Sequence, residues 1–149
     1  MPPQGSRKTT AQARSQMALA LSLVSEQYFF DAIKVFRHVA EEDDTLAGAA
    51  LCNIGLTYLK MRLYKEAEKA FSQVIRSYPK SKLNQTHPSE ERGLISAKAY
   101  LGRVHARLAL DDVTGAGKDL GKLESLDSSY VVDAQEHRIS FRELAAMQF

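Results

Sequence analysis

The sequence predicts an all-α fold assembled from repeated antiparallel pairs of helices. Prolines occur only at positions 2, 3, 79 and 88 of the 149 residues, which leaves long spans that can stay helical. The chain is also similar to itself at a spacing of 35 residues, because Ala32 and Phe36 recur as Ala67 and Phe71. Such self-similarity is typical of an α-solenoid, in which helical hairpins stack in one direction.

The similarity between the two units extends beyond alanine and phenylalanine. Each unit has an aromatic residue three positions before its alanine, a valine three positions after its phenylalanine, and a small residue twelve positions before its alanine. These residues are Phe29, Tyr64, Val39, Val74, Ala20 and Gly55. Two antiparallel helices approach closely where small residues meet, and large side chains fill the space around the contact. We therefore expect each small residue on the first helix of its hairpin and each alanine on the second.

Residues 48–81 carry the fullest version of this pattern. It reads Leu51-x2-Ile54-Gly55-x2-Tyr58, then Ala67-x3-Phe71, then Pro79. The stretch resembles the tetratricopeptide repeat (TPR), a helical hairpin with a period of about 34 residues, and the family's first tryptophan is replaced by Leu51. The resemblance implies a TPR-type α-solenoid and a role as a non-catalytic adaptor or scaffold that binds proteins.

Two further repeats and a terminal helix are expected around this unit. The first repeat spans about 13–46, the third spans about 90–128, and a capping helix covers about 130–147. Residues 1–12 are expected to form a flexible tail, although their basic, acid-free composition also fits a targeting peptide. The domain then occupies residues 13–149 and contains about seven helices.

The register of the third repeat rests on the pair Leu101-Gly102, which we align with Ile54-Gly55. The first helix of this repeat is expected at about 90–110 and the second at about 115–126. Ala116 then lies two residues later than the alanine of the second repeat predicts.

The TPR resemblance implies that the first helix of each hairpin lines a concave groove. The candidate groove residues, carried over by alignment, are Met17, Leu21, Val24, Cys52, Leu56, Leu59, Lys60, Arg103 and Arg107. Most of this surface is apolar, and its last third is basic because Arg103 and Arg107 share a helix face. We therefore expect a partner segment with apolar anchors and at least one acidic residue.

One binding mode known in the family, the carboxylate clamp for acidic chaperone tails, is not expected here. Asn53 matches the clamp's asparagine in the second repeat. The other four clamp positions hold Met17, Leu21, Ser96 and Tyr100. The positive charge that would bind a carboxylate is therefore missing from these positions.

Charge and motif content argue against other functional classes. The net charge of +2 is too small to predict nucleic-acid binding, and no apolar run approaches the roughly 20 residues of a membrane span. There is no HExxH, CxxC or phosphate-binding loop, so we expect no catalytic residue, metal or cofactor. Cys52 is the only cysteine, which fits a reducing, cytoplasmic location and a small buried side chain.

The alternative function is structural. Residues 130–147 are amphipathic enough to fill the groove from within the chain. The protein would then be a subunit of a larger assembly that uses its outer face for contacts.

Overall fold

The computed structural model describes residues 11–77 and 90–124, and every regular element in these two ranges is an α-helix. The six helices are α1 (Ala11–Ser25), α2 (Phe29–Glu42), α3 (Ala47–Lys60), α4 (Tyr64–Ser77), α5 (Glu90–Ala109) and α6 (Val113–Glu124). The predicted all-α solenoid is thereby confirmed. The predicted capping helix at 130–147, most of the tail at 1–12 and Pro79 lie outside the described residues.

The helices pack in the order of the chain. Each helix contacts the next one, and α3 also contacts α5 across the start of the following hairpin. Short connections of three residues join α1 to α2, α3 to α4 and α5 to α6, so each pair is an antiparallel hairpin. The stack is consistent with a TPR-like α-solenoid.

The turn inside each hairpin has the same backbone conformation. Gln27, Arg62 and Asp111 have φ angles of 69°, 63° and 67°, in the left-handed region. In the first turn the N–H of Tyr28 donates to the carbonyl of Leu23 at 2.8 Å, and the other two turns repeat this bond to a carbonyl five residues earlier. This is the Schellman arrangement, which satisfies carbonyl groups at the end of a helix.

These turns fix the spacing of the repeats. Gln27 and Arg62 are 35 residues apart, whereas Arg62 and Asp111 are 49 residues apart. The same two spacings separate the buried alanines of the second helices, which are Ala32, Ala67 and Ala116. The third hairpin therefore aligns with the second at an offset of 49 and not at the offset of 47 that Leu101-Gly102 suggested.

The predicted register of the third repeat is wrong by these two residues. A shift of two residues rotates a helix by about 200°, so α5 presents nearly the opposite face. Val104, and not Gly102, takes the place of Gly55 and packs against Ala116. Gly102 instead faces the ring of Phe71 in the preceding hairpin, where an added Cβ would lie closer than 3.0 Å.

Replacing Arg62 by glycine is expected to raise the free energy of unfolding by about 0.5–1 kcal/mol. A residue with a Cβ is strained at the φ of 63° found here, and glycine is not. Urea denaturation of the variant and of the wild type measures the difference. Arg62→Ala keeps the Cβ and should show no gain, and an equal gain from alanine would contradict the conformational explanation.

Candidate functional site

Leu21 and Leu56 are the exposed apolar residues of the predicted groove. They occupy equivalent positions on α1 and α3 and are 48% and 39% exposed. Lys60 lies one helical turn after Leu56 and is also exposed. We call the surface formed by Leu21, Leu56 and Lys60 the groove face.

Three other predicted groove residues support this face from below. Met17 and Val24 are half-buried and pack against the core formed between α1, α2 and α3. Leu59 is half-buried and packs against the core around Phe71. Their side chains therefore anchor the groove face to the core and add little exposed apolar surface to it.

Cys52 was predicted to line the groove, and that prediction is wrong. Cys52 is buried with Phe71 and Ala99 because α5 packs over α3 at this point. Its Sγ donates to the carbonyl of Ile95 at 3.6 Å, and burial raises the pKa of the thiol to about 12. The thiol is therefore protonated near neutral pH, and the interpretation of Cys52 as a small buried side chain is confirmed.

Arg103 was predicted to form part of a basic end of the groove, but it lies between α4 and α6. Its Nε and Nη2 donate to the two carboxylate oxygens of Asp119 at 2.8 and 2.7 Å. Its Nη1 donates to Ser72 Oγ on α4 at 3.0 Å. The paired hydrogen bond to Asp119 raises the pKa of the Arg103 guanidinium above its already high ordinary value.

Arg107 lies in the same place, one helical turn further along α5. Its Nε donates to Glu68 Oε2 on α4 at 2.8 Å, and its Nη1 donates to Asp119 Oδ2 on α6 at 3.1 Å. A third carboxylate, that of Asp112, lies 3.8 Å from Nε. Both arginines are thus neutralised within the chain and join three helices, so the predicted basic end of the groove is corrected.

The offset of 49 identifies the residues of α5 that continue the groove face. The groove positions Ala49, Leu56 and Lys60 of α3 correspond to Lys98, His105 and Ala109. Lys98 is exposed, and its charge opposes the effect of burial on the pKa of the Cys52 thiol, which places the ammonium near α3. His105 is half-buried, and burial lowers its pKa. The register predicted from Leu101-Gly102 places Ser96 and Arg103 at the first two of these positions, so Lys98 was not predicted.

A cavity that the sequence did not indicate lies on the other side of α3. This α2–α4 cavity has a volume of about 450 Å³ and an apolar floor made by Leu51, Ile54 and Tyr58. Its walls come from α2 and α4 and contain Arg37, Ala40, Glu41, Glu66, Lys69, Ala70 and Gln73. A smaller cavity of about 370 Å³ adjoins it and shares Arg37, Glu41 and Tyr58.

The described part of the chain offers neither metal-binding nor membrane-spanning features. No three His, Cys, Asp or Glu side chains within 11–77 and 90–124 are grouped as metal ligands. None of the helices described has both the length and the apolar character that a membrane crossing requires.

The comparison with known families agrees with the hairpin geometry. The family model of the tetratricopeptide repeat matches residues 48–81, which contain α4 and all of α3 except Ala47. Searches of curated proteins and of solved structures found no match. In the matched segment an added Cβ at Gly55 would lie 2.7 Å from the Phe71 ring, so the glycine permits the close helix contact. Residues 48–81 are therefore a tetratricopeptide repeat, in a chain whose described helices pack as hairpins of that type.

Proposed function

We propose that the protein is a non-catalytic adaptor that binds a segment of another protein on its groove face. The observation that carries this proposal is the exposure of Leu21 and Leu56 at equivalent positions of two neighbouring hairpins. Exposed apolar side chains at equivalent positions of successive hairpins offer anchor points for the apolar face of a partner helix. A tetratricopeptide repeat at 48–81 supports a protein as the partner.

The charge beside these anchor points favours a partner segment with acidic residues. Lys60 and Lys98 are exposed on α3 and α5, and neither forms an ion pair within the described residues. They replace Arg103 and Arg107 in the proposed recognition of a carboxylate. A cytoplasmic location remains a prediction from the sequence.

Replacing Leu56 by glutamate is expected to abolish capture of the partner from a cell extract, because it places a charge at one of the apolar anchor points. Proteins retained by the wild type and by the variant are compared by quantitative mass spectrometry. Leu19→Glu is the matched control, since Leu19 is exposed on α1 but lies away from the groove positions. Circular dichroism checks that both variants stay folded. Equal capture by Leu56→Glu and the wild type would contradict the groove-face proposal.

The alternative function is a structural subunit whose groove is filled by residues 130–147. Shortening the chain after Asp127 distinguishes this alternative from the adaptor. If the terminal segment fills the groove, the shortened protein loses hydrogen-exchange protection at α1 and α3. If the groove face is open, protection at these helices stays unchanged and partner capture is retained.

A further inference from the structure

The stack contains two equivalent gaps between the second helices of neighbouring hairpins. The first gap lies between α2 and α4 over α3 and is the α2–α4 cavity. The second gap lies between α4 and α6 over α5. At the offset of 49, Leu51, Ile54 and Tyr58 on α3 correspond to Tyr100, Arg103 and Arg107 on α5. At the same offset, Glu66 and Ala70 on α4 correspond to Gly115 and Asp119 on α6. At the offset of 35, Arg37 on α2 corresponds to Ser72 on α4. The two gaps can therefore be compared position by position.

The second gap is filled by side chains of the protein itself. Arg103 and Arg107 rise from its floor, and Asp119 on its wall accepts hydrogen bonds from both. The guanidinium carbon of Arg103 also lies 5.7 Å from the centre of the Tyr100 ring. A gap of this kind thus holds charged side chains when its walls carry the opposite charge.

The first gap is open, and its walls carry a more positive side chain at two of these positions. Arg37 occupies the position equivalent to Ser72, which accepts a hydrogen bond in the second gap. Ala70 occupies the position equivalent to Asp119, which binds both arginines. Its floor is Leu51, Ile54 and Tyr58, so no side chain from α3 supplies a charge to the gap. The gap therefore has space, an apolar floor and a cation on its wall.

The charged groups around both cavities have a small positive excess. The α2–α4 cavity is lined by Arg37 and Lys69 together with Glu41 and Glu66, and the adjoining cavity adds Lys34 and His38. The linings of the two cavities together thus contain two carboxylates, from Glu41 and Glu66, and three permanent cations, from Lys34, Arg37 and Lys69. None of these five groups has an ion pair within the described ranges 11–77 and 90–124. Arg37 is exposed and keeps all of its guanidinium donors available for a ligand.

We propose that the α2–α4 cavity is a second docking site, which takes an apolar side chain and a neighbouring carboxylate from a protein segment. The apolar side chain lies on Leu51, Ile54 and Tyr58, and the carboxylate pairs with Arg37. This proposal rests on the proposed function in one respect, which is that the partner is a protein. Leu56 is two residues from Ile54 and points about 200° away from it, so the two surfaces lie on opposite sides of α3.

The test is a selection of random peptides of about 12 residues displayed on phage, with the full-length protein as the target. Selected peptides are synthesised with a fluorescent label, and their affinities are measured by fluorescence anisotropy. The variants are Arg37→Glu, Arg37→Ala and Leu56→Glu. Lys118→Glu is the matched control, because Lys118 is exposed on α6 and lines neither cavity.

The selected peptides are expected to place Asp or Glu beside a large apolar residue. Affinity should fall about tenfold or more in Arg37→Glu and by less in Arg37→Ala, while Leu56→Glu and Lys118→Glu stay close to the wild type. A peptide with lysine in place of its acidic residue should regain affinity for Arg37→Glu.

Three results would overturn this proposal. Peptides that lose affinity in Leu56→Glu and not in Arg37→Glu bind the groove face, which leaves the proposed function intact. Basic peptides that bind more tightly to Arg37→Glu reverse the assigned charge. The absence of any enriched peptide contradicts docking at the cavity altogether.

Discussion

Replacing Asp119 by alanine is expected to lower the free energy of unfolding by about 3 kcal/mol. Asp119 is 2% exposed and is the shared acceptor for Arg103 and Arg107. Without it, the Arg103 guanidinium stays partly buried without the carboxylate that accepts its paired hydrogen bond, while Arg107 keeps Glu68 and Asp112. Loss of one partner of a buried ion pair costs about 3–5 kcal/mol, and the lower end applies because the arginine side chains are 15% and 21% exposed. Urea denaturation followed by circular dichroism measures the change.

A triple variant tests whether the lost ion pairs cause this effect. Asp119→Ala combined with Arg103→Ile and Arg107→Tyr reproduces the residues of the α2–α4 cavity at the equivalent positions. Replacing buried charges together by uncharged side chains is often close to neutral, and the remaining Glu68 is 29% exposed. The triple variant should therefore be more stable than Asp119→Ala alone. If the triple variant is less stable, the ion-pair network does not explain the cost.

The first two hairpins could be predicted from the sequence because their turns and their second helices have the same lengths. Their equivalent residues stay 35 positions apart from Gln27 and Arg62 in the turns to Phe36 and Phe71 in the second helices. In the third hairpin Val104 takes the place of Gly55, and Asp111 adopts the left-handed conformation without the glycine that would mark the turn. Leu101-Gly102 therefore looked like the equivalent of Ile54-Gly55.

The candidate site was predictable only where it depends on the first two hairpins. Leu21 and Leu56 are exposed at the predicted positions because α1 and α3 share one register. The burial of Cys52 depends on α5, which crosses α3 from 43 residues away at Ile95. The arginine pairs depend on partners that the turns bring together, such as Glu68, which lies 39 residues from Arg107. No local pattern in the sequence reports such distant contacts.

Replacing Gly102 by alanine is expected to lower the free energy of unfolding by about 2 kcal/mol, although alanine normally favours a helix over glycine. The Phe71 ring is fully buried between Gly55 on α3 and Gly102 on α5. An added Cβ at Gly55 would lie 2.7 Å from this ring, and one at Gly102 would lie closer still. Both glycines sit on helices that enclose the ring, so the ring has little space into which it can move. Thermal and urea denaturation measure the loss.

Two further variants show whether the Phe71 contact is the cause. Gly117→Ala on α6 is the matched control, since nothing among the described residues lies within 4 Å of its added Cβ, and it should stabilise the protein by about 0.5–1 kcal/mol. Phe71→Leu removes the ring, so adding Gly102→Ala to it should cost much less than in the wild type. Opposite signs at Gly102 and Gly117 would mean that contact with Phe71, and not helix propensity, selects glycine in α5. Equal costs of Gly102→Ala with and without the Phe71 ring would contradict that explanation.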